Sequence, residues 1–229
     1  MAKHVIPNKR HSTRVLIVDD HPIVREGLAS LLSKQLDFEV CGEVDDVASA
    51  LRLISEAKPH VVTVDISLKN SSGLDLIRRI AAHDESIRIV ACSLFDERLY
   101  AERALHAGAM GYVNKHEATR TVVKAIRQVL EGKTYLSEQM KDLLAQRMIG
   151  KRDQRSRPVM EMLSDRELQV FEMIGEGLTT REIARHLHVA VKTVETHRRR
   201  IKTKLGLKTA AQLSRDAAHW AVSKGDYPA

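Results

Sequence analysis

The chain has 229 residues, 43% of them hydrophobic and 29% charged, with a formal net charge of +7. That length suits two ordinary globular domains, and no apolar run nears the roughly 18 residues needed to cross a bilayer. No membrane partner and a cytoplasmic location are expected.

The first twelve residues are polar and basic with no apolar signal core behind them, and read as a flexible arm. From residue 13 onward, short apolar runs alternate with amphipathic segments. The runs are "VLIV" (15–18), "FEVCG" (38–42), "VVTVD" (61–65), "IRIVAC" (87–92) and "GYV" (111–113). Helical spacing falls near 22–33, 46–57, 73–83, 97–107 and 117–131, the last shown by Val122, Val123, Ile126, Val129 and Leu130. Five strand–helix repeats predict an α/β domain over 13–132, a five-stranded parallel sheet with helices on both faces. Cys41 and Cys92, the only cysteines, lie in apolar strand-like runs and read as reduced core thiols.

Gly132 interrupts this pattern. Residues 133–162 read as a linker with a helix near 137–149, followed by the exposed basic run "GKRDQRSRP" at 150–158. Residues 163–229 show no strand signal and predict a small all-α domain. Ser164 and Glu167 form a capping-box pattern at the start of its first helix. Thr179 or Thr180 caps the second helix, Gly206 ends the third, and the fourth runs over 209–223.

Charge divides along the same line. Residues 1–136 carry 19 Lys and Arg against 18 Asp and Glu, whereas 137–229 carry 18 against 12. A polyanion is thus the expected partner of the C-terminal domain. Aromatics make up only 3% of the chain, which argues against base stacking as the mode of contact.

In an open parallel sheet, ligands bind at the carboxyl ends of the strands. Asp19 and Asp20 end the first strand, Asp65 the third and Ser93 the fourth, and Lys115 follows the fifth. Three carboxylates and one ammonium leave an excess negative charge that calls for a hard divalent cation, most simply Mg²⁺. One carboxylate, Asp65, is then free to attack a phosphoryl donor. Lys115 would neutralise the phosphoryl oxygens and the Ser93 hydroxyl would donate to one of them. The Ser67 backbone carbonyl is placed to help hold the metal.

These stretches ("VLIVDDHPIVREGL", "VVTVDISLKNSSGLDL", "IVACSLFDE" and "ALHAGAMGYVNK") resemble the receiver domain of bacterial two-component response regulators. The resemblance implies a flavodoxin-like fold, Asp65 as phospho-acceptor, and Mg²⁺ held by Asp19 and Asp20. It implies a sensor histidine kinase as donor, no separate substrate, and Ser93 and Tyr112 as residues that couple phosphorylation to a surface change. Lys69 and His116 stand where the family often has proline.

The third C-terminal helix carries Val194, Ile201 and Leu205 on one side and Lys192, Thr196, Arg199 and Thr203 opposite, at about 100° per residue. A helix with an apolar stripe and a cationic outer face fits a major groove. Arg198 lies near the apolar side and is expected to snorkel to a phosphate. "LSDRELQVFEMIGEGLTTREIARHLHVAVKTVETHRRRIKTKLG" resembles the LuxR-type helix-turn-helix domain, as in NarL- and FixJ-like regulators. The resemblance implies operator DNA as ligand and Glu195, Thr196 and Arg199 as base readers. Lys192, Thr193, His197, Arg200 and Lys204 become phosphate contacts. It also implies a homodimer paired through the last helix, with RNA polymerase as a further candidate partner. Two rival readings are a Mg²⁺-dependent phosphohydrolase, whose D-x-D pattern is absent from "VDDH", and a sigma-factor-like protein, whose other helical domains are absent.

Overall fold

A computed structural model describes residues 12–68, 71–148 and 162–223. The chain divides into two compact units, with the boundary between Lys141 and Asp142.

The first unit begins with β1 (Thr13–Val18), α1 (Pro22–Ser33), β2 (Phe38–Val44), α2 (Val47–Ala57) and β3 (Val61–Asp65). It continues with α3 (Gly73–His83), β4 (Arg88–Ser93), α4 (Glu97–Ala107), β5 (Gly111–Asn114), α5 (Ala118–Leu130) and the start of α6 (Glu138–Met148). The strands lie in the order β2-β1-β3-β4-β5, all parallel. This order reverses at β1, and the switch leaves a crevice beyond the carboxyl ends of β1 and β3. Every residue of β3 is buried, as expected of a central strand covered on both faces.

Alternate residues serve opposite faces. Val15, Ile17, Val61 and Val90 pack with Leu28 and Leu32 of α1 and Val122, Ile126 and Val129 of α5. Leu16, Val62 and Val64 are fully buried on the other face. Local signals fix the helix ends. Pro22 opens α1 at a position that needs no donated N–H, and the Asp46 carboxylate accepts from the amides of Ala48 and Ser49 at the start of α2.

Cys92 is buried, but Cys41 is only half-buried because β2 is an edge strand. Residues 135–140, which composition assigns to a linker, belong to the first unit. Tyr135 bridges to Gly111 on the outer edge of β5, with its amide donating to the Met110 carbonyl and its carbonyl accepting from the Tyr112 amide. The Ser137 amide donates to Glu97 Oε1, and Leu136 and Met140 are buried. The 1–11 part of the basic arm, Lys69 and the 150–158 run lie outside the described residues.

The second unit contains α7 (Asp165–Gly175), α8 (Thr180–His186), α9 (Val191–Lys204) and α10 (Ala210–Ser223). Both capping boxes close, Ser164 with Glu167 and Thr179 with Glu182. Thr179, not Thr180, is therefore the N-cap of α8. Leu168 and Ile174 of α7, Val194 and Ile201 of α9, and Leu213 and Ala217 of α10 are buried. The Phe171 and Trp220 rings meet at 5.3 Å, which makes Trp220 a core residue of this unit. A turn with His188 at φ 50° leads from α8 to α9.

Candidate functional site

Four strand ends converge at the crevice. The Lys115 ammonium lies 2.6 Å from Asp65 Oδ2 and 2.7 Å from Asp19 Oδ2, and all three side chains are at most 2% exposed. Asp65 is held at both oxygens, because Oδ1 accepts from the Ser67 amide at 3.0 Å. The Lys115 amide donates to the Ser93 carbonyl, so the lysine is tied to the end of β4 as well as β5. Fixed partners at each oxygen leave the Asp65 carboxylate little rotational freedom and present it at the mouth of the crevice.

His21 is a member of this cluster that strand-end reasoning does not find, because it sits at the N-cap of α1 and not at the end of a strand. Its Nδ1 is 2.7 Å from Asp20 Oδ1, 3.4 Å from Asp19 Oδ1 and 3.6 Å from Asp65 Oδ2. Hydrogen bonds to Asp19, Asp20 and Asp65 push its pKa up to about 11. Burial raises the Asp19 carboxyl, but its bond to His21 and the Lys115 charge outweigh burial and hold it below the usual range. Burial lowers Lys115, and the charges of Asp65 and Asp19 more than reverse that effect. The imidazolium thus supplies positive charge where the carboxylates concentrate negative charge.

One donor atom from each of Asp19, Asp20, His21 and Asp65 falls within 4.8 Å of the others. Three buried carboxylates on that scale are hard oxygen donors carrying excess negative charge, and they fit a hard divalent metal ion. The neighbouring loop joins the site through one residue. Ser93 Oγ, fully buried, accepts from the Phe95 amide at 3.1 Å, and the Tyr112 hydroxyl donates to the Phe95 carbonyl at 2.8 Å. Ser93 and Tyr112 therefore grip the same peptide residue from its two polar ends. At His116, the backbone amide donates to Asn114 Oδ1, a bond that proline could not make.

Gly73 is a second residue without a signal in the spacing. Its amide donates to the Ile66 carbonyl, and a Cβ here would collide with the Asp65 backbone carbonyl. The start of α3 can approach the end of β3 only because this position has no side chain.

On α9, Lys192, Thr193, Glu195, Arg199 and Arg200 are exposed, and Thr196 and His197 are half-buried. The Thr196 hydroxyl donates back to the Lys192 carbonyl. Burial, followed by the Arg166 charge, pushes His197 below its usual pKa. The shift favours the uncharged imidazole at neutral pH. Lys204 makes a contact within the unit. Its ammonium is 2.6 Å from Glu167 Oε2, the same carboxylate that accepts from the Ser164 amide in the α7 capping box.

Comparison with known proteins places both sites in context. Residues 15–127 match the response regulator receiver domain, and residues 161–217 match the bacterial regulatory proteins of the luxR family. The oxygen regulatory protein NreC of Staphylococcus aureus is 34% identical over 204 residues, covering 87% of this chain and 94% of that protein. RcsB from Salmonella enterica serovar Typhimurium, solved bound to promoter rprA with the phosphomimetic BeF3−, is 26% identical with a TM-score of 0.59. That match covers 90% of this chain and 98% of RcsB. A structure of two RcsB dimers on two parallel DNAs is 26% identical with a TM-score of 0.53, covering 89% and 96%.

Proposed function

The chain belongs to the luxR-family response regulators, with an N-terminal receiver domain and a C-terminal DNA-binding domain, and on that premise we propose that phosphorylation of Asp65 by a sensor histidine kinase switches its binding to operator DNA as a dimer. The observation that carries this reading is the Lys115 ammonium seated between Asp65 and Asp19 at the carboxyl edge of the sheet. It fixes the acceptor carboxylate and supplies a cation where a phosphoryl group would place its oxygens.

Asp65 attacks the phosphorus in line, and the bond from phosphorus to the kinase histidine nitrogen breaks as the bond to Asp65 oxygen forms. A Mg²⁺ ion held by Asp19, Asp20, Asp65 and the Ser67 carbonyl would, when bound, neutralise charge on the phosphoryl oxygens. Lys115 stabilises the same charge from the protein side, and the Ser93 hydroxyl donates to one oxygen. Ser93 also holds the Phe95 amide, so its shift toward the phosphoryl group pulls on the peptide that Tyr112 grips from the other end. The residues that accept the phosphate thereby reach the α4–β5 surface. The protein acts on no separate substrate and works in the cytoplasm, with RNA polymerase as a downstream contact.

In the second unit Glu195, Thr196 and Arg199 read bases, and Lys192, Thr193 and Arg200 contact phosphates. His197 contributes as a neutral donor. Lys204 is a further phosphate contact, and its ammonium also pairs with Glu167. On this reading the receiver motifs span 13–132 and the output domain 163–229, with an arm over 1–12, and of the intervening 133–162 the first part, through Lys141, belongs to the first unit. A two-fold dimer doubles the contact set on a palindromic site.

The test combines phosphorylation with DNA selection. With acetyl phosphate and Mg²⁺, intact-mass measurement should show one added phosphoryl group on the native protein and none on Asp65→Asn. Genomic fragments selected with and without the phosphodonor should give discrete sites enriched by phosphorylation. Full phosphorylation and response in Asp65→Asn would overturn the assignment.

A further inference from the structure

The face of α9 that meets α10 borders the recognition surface and carries a pair of cations, Arg198 and Lys202, for which the contacts proposed above leave no common ligand. A cleft of about 270 Å³ is lined by Arg198, Arg199, Lys202 and Glu195 of α9, by Thr180 at the start of α8, and by Ala210 and Leu213 of α10. Three cations face one carboxylate there. Arg198 and Lys202 are both half-buried, and among the described residues neither forms a salt bridge.

Nothing in the stability of the unit explains this pair. Arg198 and Lys202 stand four residues apart, so their side chains share one helix face, and like charges at that spacing are destabilising. Partial burial of an uncompensated cation adds a further cost. Leu213 is fully buried, so the cleft has an apolar wall that lowers the local dielectric and strengthens the pull on an anion. The N-terminus of α10 does not supply that pull. The Lys208 and Thr209 amides already donate to Gln212 Oε1. What remains is a concave, water-accessible site with two side-by-side cationic donors and an excess of cations over its one carboxylate, Glu195.

We propose that this cleft receives a backbone phosphate of DNA, held by Arg198 and Lys202 on the α10 side of the recognition helix. The inference rests on the DNA-binding reading above and extends its contact set. The base-reading face, centred on Arg199 and Thr196, lies next to the cleft along α9. Insertion of that face into a major groove would bring one strand's backbone along the Arg198–Lys202 flank. A phosphate there would also relieve the repulsion between the two cations.

The experiment uses full-length phosphorylated protein with two duplexes, one selected by the wild-type protein from a random pool and one of unrelated sequence. Binding is measured across a salt series for wild type, Arg198→Gln/Lys202→Gln and the charge-preserving Arg198→Lys/Lys202→Arg. Each neutralised phosphate contributes about 0.9 to the slope of log K against log salt, so two clefts per dimer should contribute about 2. The Gln pair should lose that slope and weaken equally on both duplexes. The wild-type advantage should shrink about tenfold from roughly 50 to roughly 200 mM salt. The charge-preserving pair should retain the slope. Melting of the Gln pair should match or exceed wild type, since repulsion is removed, and this separates lost contact from lost fold.

An unchanged slope in the Gln pair, or a loss confined to the selected duplex, would overturn the proposal while leaving the DNA-binding reading intact. Saturable binding of inorganic phosphate alone at millimolar concentration, abolished in the Gln pair, would also overturn it and assign the cleft to a free anion. Absence of wild-type binding to either duplex would bring down both.

Discussion

Lys115 is the residue on which the acceptor pocket depends. It pairs with two carboxylates that are each 1% exposed, and removing one partner of a buried ion pair costs about 3–5 kcal/mol. Lys115→Met should therefore lower the stability of the first unit by about 3 kcal/mol in metal-free buffer, read by urea unfolding. Added Mg²⁺ should restore part of that loss, because a ligand that binds only the folded state stabilises it. An unchanged midpoint without metal would contradict the assignment. Gly73→Ala should shift the backbone at Asp65 and cost about 1–3 kcal/mol, with slower phosphorylation from acetyl phosphate at a stability restored by lower temperature. The aspartates were legible because each interrupts an apolar run where a strand must end. His21 and Gly73 were not: His21 stands at a helix N-cap instead of a strand end, Gly73 matters through the close approach of α3 to the end of β3, and neither breaks a periodicity.

Among the elements, α7 and α9 are joined by a pair that sequence reading divided between two unrelated tasks. Glu167 was legible as a capping residue and Lys204 as a basic residue on a DNA-facing helix. Their contact depends on the packing of α7 against α9, which no local pattern reports. Burial raises the Glu167 carboxyl, but its bond to Lys204 and then to Ser164 outweighs burial and holds it below its ordinary value of 4.5. A carboxyl depressed in the folded state contributes stability above its unfolded pKa and loses it as pH falls through the folded one. Lys204→Met should thus destabilise the second unit by about 1 kcal/mol at neutral pH, a figure discounted because the ammonium is 40% exposed. The difference from wild type should vanish in acid below the carboxylate range, as followed by thermal melts between neutral pH and acid. A difference that persists in acid would mean the methylene stem and not the charge supports the contact. The remaining helix limits were legible to within a residue or two because capping residues and glycines mark them directly.

For the molecule as a whole, charge and function separate together. The near-neutral half folds as the sheet with its acidic crevice, and the basic half folds as the helical unit with its cationic face. What the composition of residues 133–140 did not reveal is that the first unit continues past Gly132, since polar and turn-forming residues there mask a segment that fastens to β5. That fastening has a consequence for how this protein should be handled and for how the receiver half evolves as a module. β5 ends the sheet, and an uncovered edge strand offers unpaired amides and carbonyls to any other chain. Tyr135 occupies the Met110 carbonyl and the Tyr112 amide on that edge. A fragment ending at residue 132 should self-associate with a concentration-dependent rise in light scattering, whereas one ending at residue 141 should remain monodisperse. The first residues after the sheet thus act as a built-in guard against aggregation, and any rearrangement that lifts them exposes a surface on which a second copy can pair.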